Sequence, residues 1–397
     1  MNVFILNAGS SSIKYQLIRM PSEDVICQGI VERIGENDAI LKYKTDKVSL
    51  EDIIEIKNHK DGLKMVANLL MDKQNGVIKN TSDITVVGHR VVHGGNTFSD
   101  TTLITDEVKA KIEELSKLAP LHNPANLQGI VLAEQIFTEA KQVAIFDTAF
   151  HQTLPIIARK YAIPNKLFDE HGIQTYGFHG TSHKYVSEEA NAFLRKENSK
   201  IITIHLGNGC SITAVDNGKS VDTSLGFTPG NGLIMGTRSG DIDHSLIFYL
   251  VDTLGYTMEH VNKMLLKESG MIGLTGYSDL RDIEREANNG NADCQLALEM
   301  NTYRIKKYIG AYVAVMNGLD AIVFTAGIGE NSNTIRKMVC SNMDFLGIQL
   351  DIEKNNIRPK KLEEINTNTS KVKIFIIPTN EELEIAKQAH VLIKKTN

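Results

Sequence analysis

Cysteine is scarce in this sequence. Cys27, Cys210, Cys294 and Cys340 are the four in 397 residues, and no two form a C-x-x-C pair. That excludes a disulfide framework and reads as reduced, mostly buried thiols. Long hydrophobic runs are missing as well: none approaches the roughly 18 residues that span a bilayer. The opening Met-Asn-Val-Phe has no basic n-region and only a four-residue apolar stretch, so it does not read as a signal peptide. Nor is there a surplus of cations. Lys and Arg number 43 against 48 Asp and Glu, a net charge of -5, which argues against nucleic acid as the main partner. A cytoplasmic protein with neither nucleic-acid nor membrane partners is the expectation.

Three familiar site signatures are also absent: the Walker pattern G-x-x-x-x-G-K-[ST], a G-x-G-x-x-G that opens a helix, and H-E-x-x-H. No low-complexity linker divides the chain, although its length exceeds what one hydrophobic core usually serves and two domains are the default.

Strand-like runs occur at 3–6, 13–18, 84–92, 143–146, 201–206, 211–215, 321–325 and 374–377. Helical patterns lie between them, at 106–118, 125–139, 294–319 and 380–393. The alternation predicts an α/β fold with mixed sheets. One internal echo stands out. "NAGSSSIKYQL" near the start resembles "HLGNGCSITAVDNGK" near the middle: a strand, a polar turn, a Ser-Ile step and a second strand. It predicts two similar domains, each offering a polar turn to the gap between them.

Such turns suit anions, because successive backbone N–H groups form a concavity and glycine allows close approach. The chain has four: Asn7–Ser12, Gly207–Gly209, Gly226–Gly236 and Gly327–Asn331. Nucleotide phosphates become the leading ligand. Arg90 in "VGHRVVHGG" and Arg238 in "MGTRSGD" carry planar forks that match carboxylate or phosphoryl oxygens. Asp147 ends the apolar run "VAIF", where a carboxylate points into the ligand crevice of an α/β sheet. Asn380 reads as a helix cap; Glu381 and Glu382 after it suit the helix dipole, and one of them could also hold Mg²⁺ through a water, the capping role being favoured from the residues alone. His89/His93 and His179/His183 have the i, i+4 spacing of a zinc pair. The first pair reads as a strand end and the second contains Ser182, read as a helix cap, so zinc is the weaker reading.

Together these stretches resemble the acetokinase family, of the acetate and sugar kinase, Hsp70 and actin superfamily. The resemblance runs in order through "LNAGSSSIKY", "GHRVVHGG", "LAPLHNP", "FDTAFHQTLP", "YGFHGTSHKYV", "HLGNGCSI", "DTSLGFTPGNGLIMGTRSGD", "FTAGIGENS" and "PTNEELEIA". It implies two ribonuclease-H-like domains: 1–150 with about 381–397 on the acceptor and phosphate side, and 151–380 for the nucleotide, with ATP in the cleft between them. It also implies reversible transfer of the ATP γ-phosphoryl to acetate, giving acetyl phosphate and ADP, by a homodimer.

The resemblance further implies Asn7 and Glu381 at Mg²⁺, with Mn²⁺ able to substitute, and Ser10, Ser12 and Lys14 around the phosphates. Arg90, His122, Asp147, His179 and Arg238 would surround the transferring group. His205, Leu206, Gly207, Asn208 and Gly209, then Asp279, Leu280 and Arg281, then Gly327, Ile328, Gly329, Glu330 and Asn331 would carry the nucleotide. Val92, Leu121, Phe178 and Pro229 would line the acceptor's methyl pocket. Asp147 either orients Arg90 or the acceptor, or exchanges a proton; orientation is favoured, because carboxylate attack releases none. One departure is His244, where the family commonly has proline. The rival readings are a propionate kinase of the same family, a non-catalytic ATP-driven switch, and a zinc hydrolase.

Overall fold

The computed structural model describes residues 1–396, and by internal contacts the chain divides into two compact units. The first joins Met1–Ala149 to the C-terminal segment from Asn380; the second is Phe150–Thr379.

In the first unit the strands are β1 (Asn2–Ala8), β2 (Ser12–Arg19), β3 (Asp24–Glu32), β4 (Ala39–Thr45), β5 (Ser49–Ile54), β6 (Val86–Val91), β7 (Thr102–Leu103) and β8 (Lys141–Phe146). They form one sheet in the order β5-β4-β3-β2-β1-β6-β8-β7. Strands β1, β2 and β3 are antiparallel neighbours, whereas β6 and β8 run parallel to β1. The alternation of β1 explains its place. Val3 and Ile5 face the helix Glu381–Thr396 through Ile385, Ala386 and Ala389, while Phe4 and Leu6 face the core that includes Leu63, Val66, Leu132 and Ala133. Being apolar on both faces, the strand is central.

The second unit holds β9 (Lys200–Leu206), β10 (Cys210–Asp216), β11 (Lys219–Thr223), β12 (Ala321–Thr325), β13 (Glu363–Glu364) and β14 (Lys373–Ile376), ordered β11-β10-β9-β12-β14-β13. Its first three strands are again an antiparallel meander, and β12 and β14 again run parallel to the first. Val186 and Ala190 of the helix Gly180–Leu194 cover one face with Ile201, Val323 and Phe375. The helix Ala292–Met316 lies against β9 and β10. The two sheets therefore share one strand order, the ribonuclease-H-like one expected, and the echoed turns are topologically equivalent: β1–β2 in one and β9–β10 in the other.

Three features depart from the sequence reading. Strands β3 to β5 carry too many charged and polar residues to stand out as apolar runs, and β5 is a largely exposed edge. "GIGEN" is not an open turn: Ala326–Asn331 is a short helix, entered through Ala326 at φ +64°. Ser182 does not cap its helix. That helix starts at Gly180 after His179, so Ser182 sits in the first turn with its hydroxyl on His205. Among the described residues no helix is long and apolar enough to cross a membrane.

Candidate active site

In the first unit the predicted residues gather where the parallel strands end. Gly9 N–H closes the β1–β2 turn on the Ser12 carbonyl at 2.8 Å, leaving Ser10 exposed and Ser12 half-buried. Two buried asparagines of the helix Asn123–Ile136 hold this corner. Asn126 Nδ2 donates to the Ala8 carbonyl at 2.8 Å while its Oδ1 accepts from Val92 N–H at 3.1 Å. Asn123 pairs its amide with both backbone groups of His93, at 3.0 and 3.1 Å. One helix end thus ties the end of β1 to the end of β6. The helix approaches closely because residue 129 is glycine; a Cβ there would lie 2.7 Å from that of Ala8.

Arg90, in β6, meets Asp147, just past β8, through one edge of its fork. Nε donates to both carboxylate oxygens at 3.0 and 3.1 Å, and Nη2 donates to Oδ2 at 2.6 Å. Asp147 is 2% exposed and Arg90 23%. Burial works against the charge of Arg90, but Asp147 and then Glu381 and Glu382 outweigh it and hold the guanidinium pKa above its ordinary value. Asn380 caps the helix of Glu381, its Oδ1 accepting from Leu383 N–H at 3.0 Å. Glu382 pairs with Lys14 at 2.5 Å, and Lys14 is the β2 partner of Asn7. The carboxyl of the half-buried Glu381 is pushed up, first by burial; Arg90 and Lys14 pull it down, while Asp147 and Glu382 add to the rise. Val92 is half-buried, whereas Leu121 is 68% exposed and His122 is exposed at the start of the helix Asn123–Ile136.

In the second unit the β9–β10 turn, Gly207–Gly209, docks on the loop that carries Arg238. Gly236 N–H donates to the Asn208 carbonyl at 3.1 Å. A Cβ on Gly209 would touch His179 Cε1 and Nε2 at 3.4 Å and Arg238 Nη1 at 3.6 Å, so this glycine brings the predicted histidine and arginine to one place. Arg238 Nη1 donates to the Pro229 carbonyl at 3.0 Å, and burial draws its pKa down. Its loop is gripped from one face of the helix Ala292–Met316. Asn301 donates to the Ile234 carbonyl, Arg304 to the Gly232 carbonyl, and the Tyr308 hydroxyl to Asp241 Oδ2 at 2.6 Å.

Residue 179 is a non-glycine at φ +56°, a strained backbone that swings the chain into the helix behind it. Its ring stacks on His205, centroids 4.3 Å apart, and its Nδ1 meets Ser211 Oγ at 2.8 Å. Phe178 is buried, and its carbonyl accepts from His151 Nε2 at 3.0 Å.

A cavity of about 780 Å³ opens beside the Gly207 turn. Leu206, Gly207, Asn208, Asp279, Leu280, Arg281, Gly327, Ile328 and Asn331 all line it, so three separate sequence stretches converge on one space. Asp279 caps the helix Leu280–Asn288 and is held at about 2, chiefly by the Arg281 side chain. His205, Gly209, Gly329 and Glu330 are not in its lining. Gly329 packs on Phe324 and Ile204 of the sheet, and Glu330 Oε1 accepts from Thr379 N–H at 3.0 Å.

The spaced histidines are tied to protein groups. His89 meets Gln142 at 2.7 Å and His93 accepts from Gly95 N–H; burial pushes each ring down to about 4. His183 lies between Thr203 and Ser211. Among the described residues no group of three or more His, Cys, Asp or Glu side chains is set to hold a metal ion.

A sequence model of the acetokinase family matches residues 2–387. The chain belongs to the acetokinase family. It is 64% identical over 394 residues to the acetate kinase of Flavobacterium johnsoniae, across 99% of this chain and 100% of that protein. The crystal structure of Porphyromonas gingivalis acetate kinase matches at a TM-score of 0.94 and 44% identity, over 99% of both chains. A propionate kinase from Francisella tularensis matches at 0.92 and 42%, over 98% of this chain and 99% of that one. In this acetokinase the sequence reading missed the asparagine ties, Ser211, the hydroxyl contacts of His183 and the Asn301–Tyr308 face.

Proposed function

We infer that this acetokinase catalyses reversible transfer of the ATP γ-phosphoryl to acetate, giving acetyl phosphate and ADP. The observation that carries the reading is the Arg90–Asp147 pair. Asp147 occupies the Nε–Nη2 side of the guanidinium and so fixes the plane of a cation suited to a carboxylate or phosphoryl oxygen. This is an orienting role. A carboxylate acceptor is already a nucleophile at neutral pH, and its attack leaves no proton for Asp147 to take.

The division of labour follows the units. The first supplies Arg90, His122 and the Ser10, Ser12 and Lys14 contacts to phosphate, and the second supplies the nucleotide cavity with His179 and Arg238. The two arginines and His179 offer positive charge and N–H donors to the equatorial oxygens as charge develops there. Val92, Leu121, Phe178 and Pro229 take the acceptor's methyl group. His205, Gly209, Gly329 and Glu330 support the nucleotide turns from behind the cavity wall.

Asn7 and Glu381 fit a magnesium ion. Both offer hard oxygen donors, and Glu381 is a half-buried carboxylate raised by burial and by acidic neighbours, a setting a divalent cation relieves. Bound there, Mg²⁺, or Mn²⁺ in its place, neutralises phosphate charge. Arg90 and Lys14 oppose the rise at Glu381.

A homodimer is supported by the helix Ser245–Asp252, which has no buried residue and exposes Leu246, Phe248 and Tyr249. His244 precedes it at φ -61°, a backbone angle proline also adopts, so the departure leaves the helix start intact. Four buried free thiols suit the reducing cytoplasm.

A hydroxamate assay with ATP, Mg²⁺ and a panel of acetate, propionate and butyrate tests the reading. Acetate is expected to lead, with propionate lower by roughly 10- to 200-fold in kcat/KM. The likeness to a propionate kinase makes the other order the outcome that overturns acetate as substrate.

A further inference from the structure

We propose that Thr203, His183 and Ser211 form an ordered hydrogen-bond relay that sets the tautomer of His179, keeping a hydrogen on its Nε2 while the ring is neutral. The inference rests on the reading above that His179 meets the phosphoryl group.

Three short contacts build the chain. Thr203 Oγ1 lies 2.7 Å from His183 Nδ1, His183 Nε2 lies 2.7 Å from Ser211 Oγ, and Ser211 Oγ lies 2.8 Å from His179 Nδ1. Thr203, His183 and Ser211 are each fully buried, in β9, the helix Gly180–Leu194 and β10. Ser211 stands between two ring nitrogens with one hydrogen to give. It donates to one ring and accepts from the other.

The relay concerns the neutral form of both rings. Burial, then His151 and His205, push His183 well below the ordinary histidine range. His179 caps the N-terminus of a 15-residue helix, which disfavours positive charge, and its outer edge lies beside the Arg238 guanidinium. Each ring therefore carries one N–H, and the chain has two senses. In one, Thr203 donates to His183, His183 to Ser211, and Ser211 to His179 Nδ1, so that Nε2 bears the hydrogen. In the other every bond reverses and Nε2 presents a bare lone pair. Only the first sense gives His179 a donor on the edge that shares its place with Arg238, where phosphoryl oxygens need donors. Ser211, His183 and Thr203 are thus positioning residues, two or more bonds removed from substrate.

Long-range ¹⁵N–¹H spectra of the full-length protein read the tautomers directly. His151, whose Nε2 donates to a carbonyl, is an internal reference for the Nε2–H form. The expected result is a bare Nδ1 and a protonated Nε2 on both His179 and His183. Ser211→Ala is expected to move His179 toward a mixture of tautomers and to lower kcat about tenfold, the scale of one hydrogen bond, with the KM for ATP within about twofold. Thr203→Val removes the donor at the far end with little change of shape; it should shift His179 the same way but less, and Thr203→Ser should restore it. A protonated Nδ1 on wild-type His179, or His179 signals unmoved in both Ser211→Ala and Thr203→Val, overturns the relay. Full activity in His179→Gln would instead remove the phosphoryl role of His179, while the wild-type spectrum still decides the order of the chain.

Discussion

The β1–β2 and β9–β10 turns occupy the same position in two sheets of the same strand order, yet they are supported by opposite chemistry. Around the first turn the groups are ionic: Arg90 with Asp147, Lys14 with Glu382, and Glu381 between them in charge. Around the second they are imidazoles and hydroxyls: His179, His183 and His205 joined by Ser182, Ser211 and Thr203. The strand order thus dictates where ligand groups emerge, at the ends of the parallel strands, and leaves their kind to the residues placed there. An ionic cluster suits a site that takes an anion and a cation together, because each buried charge needs a partner. A hydroxyl–imidazole network holds rings in fixed orientation beside Arg238.

The two arginines break this comparison most sharply. Arg90→Ala and Arg238→Ala should each lower kcat by about 100-fold or more with ATP still bound, since each removes a charge-assisted contact made in the transition state. Their stabilities should differ. Arg90→Ala strands the buried Asp147 carboxylate and should cost on the order of 3 kcal/mol, whereas the main partner of Arg238 is the neutral Pro229 carbonyl. Arg90→Ala with Asp147→Asn should recover stability and no activity. Urea titrations beside steady-state kinetics check this, and equal stability of the two single variants would count against the ionic–neutral contrast.

Acid comes next. His89 and His93 have folded pKa values of about 4, depressed by burial below the ordinary 6.5. The unfolded chain then binds more protons below pH 6.5. Their contribution is complete above that pH and falls as pH drops toward 4, by on the order of 2 kcal/mol each at pH 5. His183 adds to the same trend in the second unit. Urea midpoints at pH 7.5 and 5.0 measure the loss, and His89→Gln should reduce it.

The two glutamates give a smaller effect. Glu381→Gln should raise the Mg²⁺ concentration for half activity about tenfold, while Glu382→Gln loses only the tie to Lys14 and a few tenths of a kcal/mol of helix–dipole stability. Equal magnesium dependence in both variants would return Glu381 to a role in the helix start. Smallest is Val92→Ala, expected to narrow the acetate-to-propionate ratio a few-fold. An unchanged ratio with lowered stability would make Val92 a packing residue.

The sequence alone determined the alternation of strands and helices, because residues 3–6, 201–206 and 321–325 are apolar runs that must be buried wherever they lie. It also determined the doubled architecture, since the echo between residues 7–17 and 205–219 survives as equivalent hairpins. Arg90, Asp147 and Arg238 were legible because charged residues at the ends of apolar or glycine-rich stretches have few structural uses. The resemblance to acetokinases named the remaining site residues, and three of its stretches meet around one cavity. Tertiary structure decided what local pattern cannot encode. Ser211 and Thr203 look like ordinary strand residues, and His183 like half of a spaced pair, until β9, β10 and the helix Gly180–Leu194 bring their polar atoms within 2.8 Å. Asn123 and Asn126 find their partners some 30 to 120 residues away, and Ser182 gave up an N-cap for His205 because the helix began three residues sooner than its own signal suggested. A hydrogen bond depends on the position and direction of both partners, and in a chain only the fold supplies the second one.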